Sequence, residues 1–130
     1  MTHPLPELLT KPSPRSVAET VAQLTDLVAA KGMTLFAVID HQAGARSVGL
    51  DLPETTVVIF GSATAGTPVM AAAPMAALDL PLKVLVWADG DQTMLAYAPP
   101  STLTERYGLS EELAARLAGI HAITDAAIAP

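Results

Sequence analysis

The sequence predicts an α/β domain of the α+β-like kind, a mixed four- to five-stranded sheet with helices mainly on one side and a C-terminal β-hairpin followed by helices. Three observations predict it. Short apolar runs of strand length alternate with segments of helical spacing, so the elements mix along the chain rather than segregate. A glycine turn, Asp89-Gly90-Asp91, joins two alternating segments as a hairpin should. Finally, 130 residues suffice for one core, and 51% hydrophobic residues with only 4% aromatics imply an aliphatic, alanine-rich interior in which elements approach closely. The whole chain, 1–130, reads as a single domain.

The proline-rich segment 1–14 leaves Glu7 to Lys11 as a short strand, best placed at a sheet edge because proline withholds a ladder donor. Ser16-Val17-Ala18-Glu19 is a capping box, and Val17, Val21, Leu24 and Val28 continue it at helical spacing to a stop at Lys31-Gly32. Met33 to Asp40 is apolar at alternate and intervening positions, as for a strand covered on part of each side. Gln42 to Val48 is a helical turn ended by Gly49, and Thr55 to Phe60 is the next strand.

Gly61 to Gly66 reads as a small-residue loop, with Thr67 capping a helix that begins at Pro68, runs to Ala73, and resumes as a turn from Met75 to Leu78. Leu82 to Ala88 and Gln92 to Ala98 form the hairpin. A short helix follows to Tyr107 with Gly108 as its stop, and Ser110 opens a last helix from Glu111 to about Ile128.

Composition excludes several chemistries. The net charge of −6 and scattered cations disfavour nucleic acid. With no cysteine there is no disulfide, thiol nucleophile or thiolate metal site. His3, His41 and His121 lack ligand spacing, so no metal is expected. The N-terminal stretch lacks the pattern of an export signal, and apolar runs such as Leu82 to Ala88 fall far short of the roughly 20 residues that span a bilayer. No membrane partner and a cytoplasmic location are therefore expected.

Candidate site residues fall in three places. A strand-loop-helix passage through Gly61, Ser62, Gly66 and Thr67 offers backbone amides to a small anion. It is not a nucleotide loop, because Thr67 follows Gly66 where a phosphate-reaching lysine would stand. Asp40-His41, at a strand end, is a candidate acid/base pair, against the simpler reading in which Asp40 caps the next helix. Met70, Trp87 and Tyr97 could line an apolar pocket.

SPRSVAET, FAVIDHQAGARSVGLDLP, VVIFG and GTPVMAAAPMAALDLPLKVLVW, together with Tyr97, resemble the bacterial domain of unknown function 302 family from about Pro12 to Gly108. The resemblance implies a compact α/β fold, often homodimeric, without a settled activity. Asp40, His41, Gly61, Gly66, Thr67, Pro68, Met70, Pro74, Pro81, Trp87 and Tyr97 fall on the family's motif positions. The chain departs from it at Ser62-Ala63 and Ala98, where related sequences carry Asn-Pro and Asn, removing two amides that a shared ligand would use. The expectation is a homodimeric small-ligand-binding or interaction protein taking a small anion or an apolar ligand, its cofactor unknown. The alternatives are an enzyme using Asp40 and His41, or a haem protein ligated by His41 or Met70.

Overall fold

The computed structural model describes residues 8–130. Its elements are β1 (Leu9–Ser13), α1 (Val17–Ala30), β2 (Thr34–Asp40), α2 (His41–Ser47), β3 (Thr55–Gly61), α3 (Ala63–Ala72), a 3-10 turn (Pro74–Leu78), β4 (Leu82–Asp89), β5 (Gln92–Tyr97), α4 (Pro100–Tyr107), α5 (Glu111–Ala115) and α6 (Gly119–Ala127). The start of the expected first strand, Glu7, lies outside the described residues.

The five strands form one sheet in the order β1-β5-β4-β3-β2. The α/β class and the hairpin stand, but every neighbouring pair is antiparallel, where mixed directions were expected. The reason lies in the connections. Helix α1 does join two parallel strands, but it carries the chain from one edge of the sheet to the other, and three strands separate β1 from β2. The segments holding α2 and α3 return the chain antiparallel to its neighbour, so neither is a crossover.

Alternation divides the sheet. Val58, Phe60, Val84, Val86 and Leu95 are buried and pack with Val17, Leu24 and Val28 of α1 and Ile120, Ile123 and Ala127 of α6. Their strand neighbours Val57, Ile59, Leu85, Trp87 and Met94 are only half-buried. A second, smaller cluster of Val69, Ala76, Leu103, Leu109 and Leu117 gathers the helices that follow β3 and β5, and Leu82 packs against both clusters.

Helix starts follow local chemistry. Ser16 and Glu19 complete the capping box of α1, and the hydrogen bonds lower the Glu19 carboxyl below its usual range. In the hairpin, Asp89 pairs with Gln92, leaving a two-residue turn that Gly90 enters at φ 61°.

Three expectations need correction. The passage after Gly61 is not a loop: α3 begins at Ala63, capped by Ser62, so Gly66, Thr67 and Pro68 are helical. Proline is tolerated here because the carbonyl it leaves unpaired, four residues back on Thr64, lies on an exposed residue where water can serve it. The expected last helix is two, α5 and α6, with a turn at 116–118 between them. Strand β2 is not covered on part of each side. It is an edge strand, with every residue but Ala37 exposed.

Candidate functional site

A cavity of about 290 Å³ opens where the two core clusters meet. Gly61 and Ser62 reach it from the end of β3, and Gly66, Thr67 and Met70 from α3. Phe36 of β2, Leu80, Pro81 and Leu82 before and at the start of β4, and Leu117, Gly119 and Ile120 near the head of α6 complete most of the wall. Among the described residues of the lining, Arg116, in the turn before α6, is the single charged one.

Local structure explains how these residues come together. Phe36 lies where the β2–β3 register slips between Leu35 and Ala37, a bulge that re-aims a side chain at the end of a strand. A Cβ on Gly61 would stand 3.4 Å from Pro81 Cβ and 3.6 Å from the Phe36 ring, so glycine lets these two groups close over the strand end. Gly66 is helical without a positive φ, and a Cβ there would meet nothing nearer than 3.9 Å.

The anion cradle expected of the loop amides is largely consumed by the helix. The Gly66 amide donates to the Ser62 carbonyl at 2.8 Å, and the Ala65 amide donates to the same carbonyl at 3.2 Å and to Ser62 Oγ at 3.4 Å. Only the first amides of α3 stay unengaged by this cap.

Of the residues singled out in the sequence, the cavity unites Gly61, Ser62, Gly66, Thr67 and Met70. Asp40 and His41 are elsewhere. Asp40 pairs with Thr56 and Gly61 with Thr34, so the two sites lie about 17 Å apart along β3. Asp40 Oδ1 accepts from the Ala43 amide at 2.9 Å as the cap of α2, and His41 is exposed on the first turn. Within one chain, an acid/base pair at Asp40-His41 therefore cannot act on an atom held by the Gly61–Thr67 segment, and His41 cannot share a ligand with Met70 of the same chain. Trp87 pairs across from Thr55, at the Asp40 end of the sheet.

Tyr97 belongs to a separate polar cluster between β1, β5 and α6. Its hydroxyl lies 2.6 Å from His121 Nδ1 and receives Lys11 Nζ at 3.0 Å, while the same ammonium donates to Thr124 Oγ1 at 2.8 Å and Asp125 Oδ1 at 2.7 Å. The Tyr97 and His121 rings meet edge to face, 5.5 Å between centroids. Burial works against the Lys11 charge, but the hydrogen bonds to Asp125 and Tyr97 more than offset it and hold its pKa above the usual value. With Tyr97 only 3% exposed, this cluster is a fastening of α6 to the sheet.

A second ionic group joins the turn before β4 to α4. Asp79 Oδ2 accepts from the Tyr107 hydroxyl and from Arg106 Nη1 at 2.7 Å. These bonds, that from Tyr107 first, lower the Asp79 carboxyl below its usual range and raise the Tyr107 phenol. A smaller cavity of about 240 Å³ lies beside them, lined in part by Lys83, Leu103 and Arg106.

Sequence reasoning missed Arg116, Phe36, Leu80 and Gly119 as cavity residues. Gly119, inside a helical pattern, was the one local signal; the position of Arg116 depends on how the last helix divides. Among the described residues no three His, Asp or Glu side chains stand together in a way that would hold a metal ion.

Comparison with known proteins places this geometry in a family. The chain is 39% identical over 110 residues to a protein named fluoride-specific ion channel FluC 1 from Brucella suis biovar 1 (strain 1330), a match spanning 82% of this chain and 43% of that protein. It is equally similar to fluoride-specific ion channel FluC 1 from Brucella abortus biovar 1 (strain 9-941), spanning 41% of it. The chain thus spans less than half the length of these relatives. Among the described residues no helix is long and apolar enough to cross a membrane. The crystal structure of an uncharacterized conserved protein from Bacillus stearothermophilus, described as DUF302, superposes with a TM-score of 0.77 at 16% identity, covering 93% of this chain and 94% of that one. The model of the family described as domain of unknown function DUF302 matches residues 9–127, and the chain belongs to that family.

Proposed function

We propose that this domain is a non-catalytic, homodimeric interaction and ligand-binding module, joined to its second copy along β2. The observation that carries the proposal is the exposure of that edge. Among the described residues, seven of the eleven exposed large hydrophobic side chains lie between residues 35 and 52: Leu35, Phe36, Val38, Ile39, Val48, Leu50 and Leu52. An open, apolar, seven-residue edge strand is a template for pairing, and proteins blunt such edges unless a partner covers them. The opposite edge is blunted: β1 carries Pro12, which lacks a donor, and Lys11 ties it to α6. On β2 the bulge at Phe36 is the one such device before Asp40, and from Ala37 to Ile39 the edge carries neither proline nor charge.

A second copy is the occupant that fits. Antiparallel pairing of β2 with itself about a two-fold axis is self-complementary and would continue the sheet to ten strands. The stretch from β2 to the start of β3 supplies about the 20 or more residues per side of a standard interface.

The Brucella relatives add a setting. Their names assign them to fluoride conduction, and the segment similar to this chain is less than half of each. The proposal gives that segment a role beside the conducting part and not within it.

Sedimentation equilibrium over a concentration series tests the reading. The wild-type chain is expected to be a dimer, and Val38→Lys with Ile39→Lys, one charge on each face of β2, to shift it to monomer with its circular dichroism retained. A monomeric wild type at all concentrations, or a double variant as dimeric as wild type, overturns it.

A further inference from the structure

We infer that the cavity between β3, α3 and the head of α6 binds a monoanionic amphiphile, a medium-length aliphatic or aryl carboxylate, with its acid group on Arg116 and its apolar body inside. Three independent features lead there. The first is shape and lining. At about 30 Å³ for each water-sized group, 290 Å³ holds a body of about ten heavy atoms. Phe36, Met70, Leu80, Pro81, Leu117 and Ile120 supply an apolar wall of the kind that buries most of a small ligand.

The second is charge. In a chain of net charge −6, the described residues of the lining include one cation and no carboxylate. Arg116 is weakly committed: its Nη2 lies 3.8 Å from Glu112 Oε1, a solvent-exposed pair one helical turn away, too long for a hydrogen bond. Arg15 and Arg106, by contrast, have close partners, the Ala127 carbonyl and Asp79. A guanidinium at the mouth of an apolar cavity recognises a carboxylate through paired N–H donors.

The third is the glycines. Gly66 and Gly119 are helical, have no positive φ, and would meet nothing closer than 3.9 Å and nothing within 4 Å respectively if given a Cβ. Backbone conformation requires neither, and alanine would suit each helix better. Both line the cavity: a Cβ on Gly66 would stand against Leu80 and Met70 in its wall, and Gly119 is an exposed part of the lining, so a large side chain at either would take space from it. Of the residues named here only Phe36 belongs to the β2 edge, so the arguments from Arg116, Gly66 and Gly119 do not depend on dimerisation.

The test is displacement of 1-anilinonaphthalene-8-sulfonate by decanoate and by decan-1-ol, with direct titration calorimetry of each. Decanoate is expected to bind saturably at one site per chain and about tenfold more tightly than decan-1-ol. Arg116→Gln should remove that preference and leave decan-1-ol binding unchanged. Gly119→Leu, and Gly66→Leu where it folds, should abolish both, with dimerisation by sedimentation unaffected. The inference is overturned if neither compound saturates, if the two bind alike, if Arg116→Gln leaves the preference intact, or if Gly119→Leu binds as wild type.

Discussion

Tyr97→Phe separates a structural role from a ligand-binding one at a residue that sequence reasoning places in the site. The ring stays buried, so the change removes an oxygen and leaves the packing of the core intact. Two contacts go with that oxygen: the one to His121 Nδ1 at 2.6 Å and the one from Lys11 Nζ at 3.0 Å. Lys11 keeps Thr124 and Asp125, and its ammonium stays 4.9 Å from the ring centroid, where a phenyl face serves nearly as well. The uncompensated loss is therefore at His121, whose Nδ1 is left part-buried without its partner.

One hydrogen bond between part-buried groups, with one partner orphaned, is worth about 1–2 kcal/mol. For a chain of this size that is a fall of about 4–8 °C in melting temperature. Thermal and urea denaturation of Tyr97→Phe, His121→Ala and the double variant give the cycle, with an expected coupling of about 0.5–1.5 kcal/mol. Decanoate affinity should not move, because Tyr97 is not in the cavity wall. Unchanged stability with no coupling, or wild-type stability with weakened decanoate binding, would refute the assignment of Tyr97 as a fastening of α6.

Two further changes probe the helices around the cavity. Gly66→Ala should raise stability by about 0.5–1 kcal/mol, since the added methyl meets only ordinary contacts and alanine is the better helix former, while decanoate binding weakens; urea denaturation and calorimetry on one preparation check both. Asp79→Asn should cost about 0.5–1 kcal/mol at neutral pH after allowance for solvent screening. Because the folded carboxyl titrates below its unfolded value of about 3.9, that contribution is present above the unfolded pKa and is lost as pH falls through the folded one. The gap in melting temperature between variant and wild type should thus narrow as pH falls below the unfolded value and through the lower folded one, and a gap that widens on acidification would contradict it.

The fold was legible wherever local chemistry decides structure. Ser16 and Glu19 announce α1, Gly90 announces the hairpin turn, and alternation marks β3 and β4, because each signal is read within a few residues and the structure uses it as read. Strand direction and coverage were not legible. An apolar run such as Met33 to Asp40 is compatible with a buried central strand or with an edge awaiting a partner, since both place apolar residues on two faces. Only the strand order, with α1 delivering β2 to the far edge, distinguishes them.

The candidate site was half legible for a related reason. The sequence points to Thr67 as the N-cap because proline follows it, whereas the residue that caps α3 is the earlier hydroxyl, Ser62. The earlier cap prevails because β3 runs on to Gly61 and the chain must turn at once, so α3 starts at Ala63 and draws Gly66 into its buried side. What looked like a phosphate-type loop of free amides thereby becomes a helix whose buried glycine faces Leu80 and Met70 in the cavity wall. The chemistry shifts accordingly, from an anion held by backbone donors to an apolar cavity that receives a charge from Arg116, some 50 residues later in the chain. That charge arrives only because the last helix breaks at 116–118, and no pattern near Gly61 carries that information.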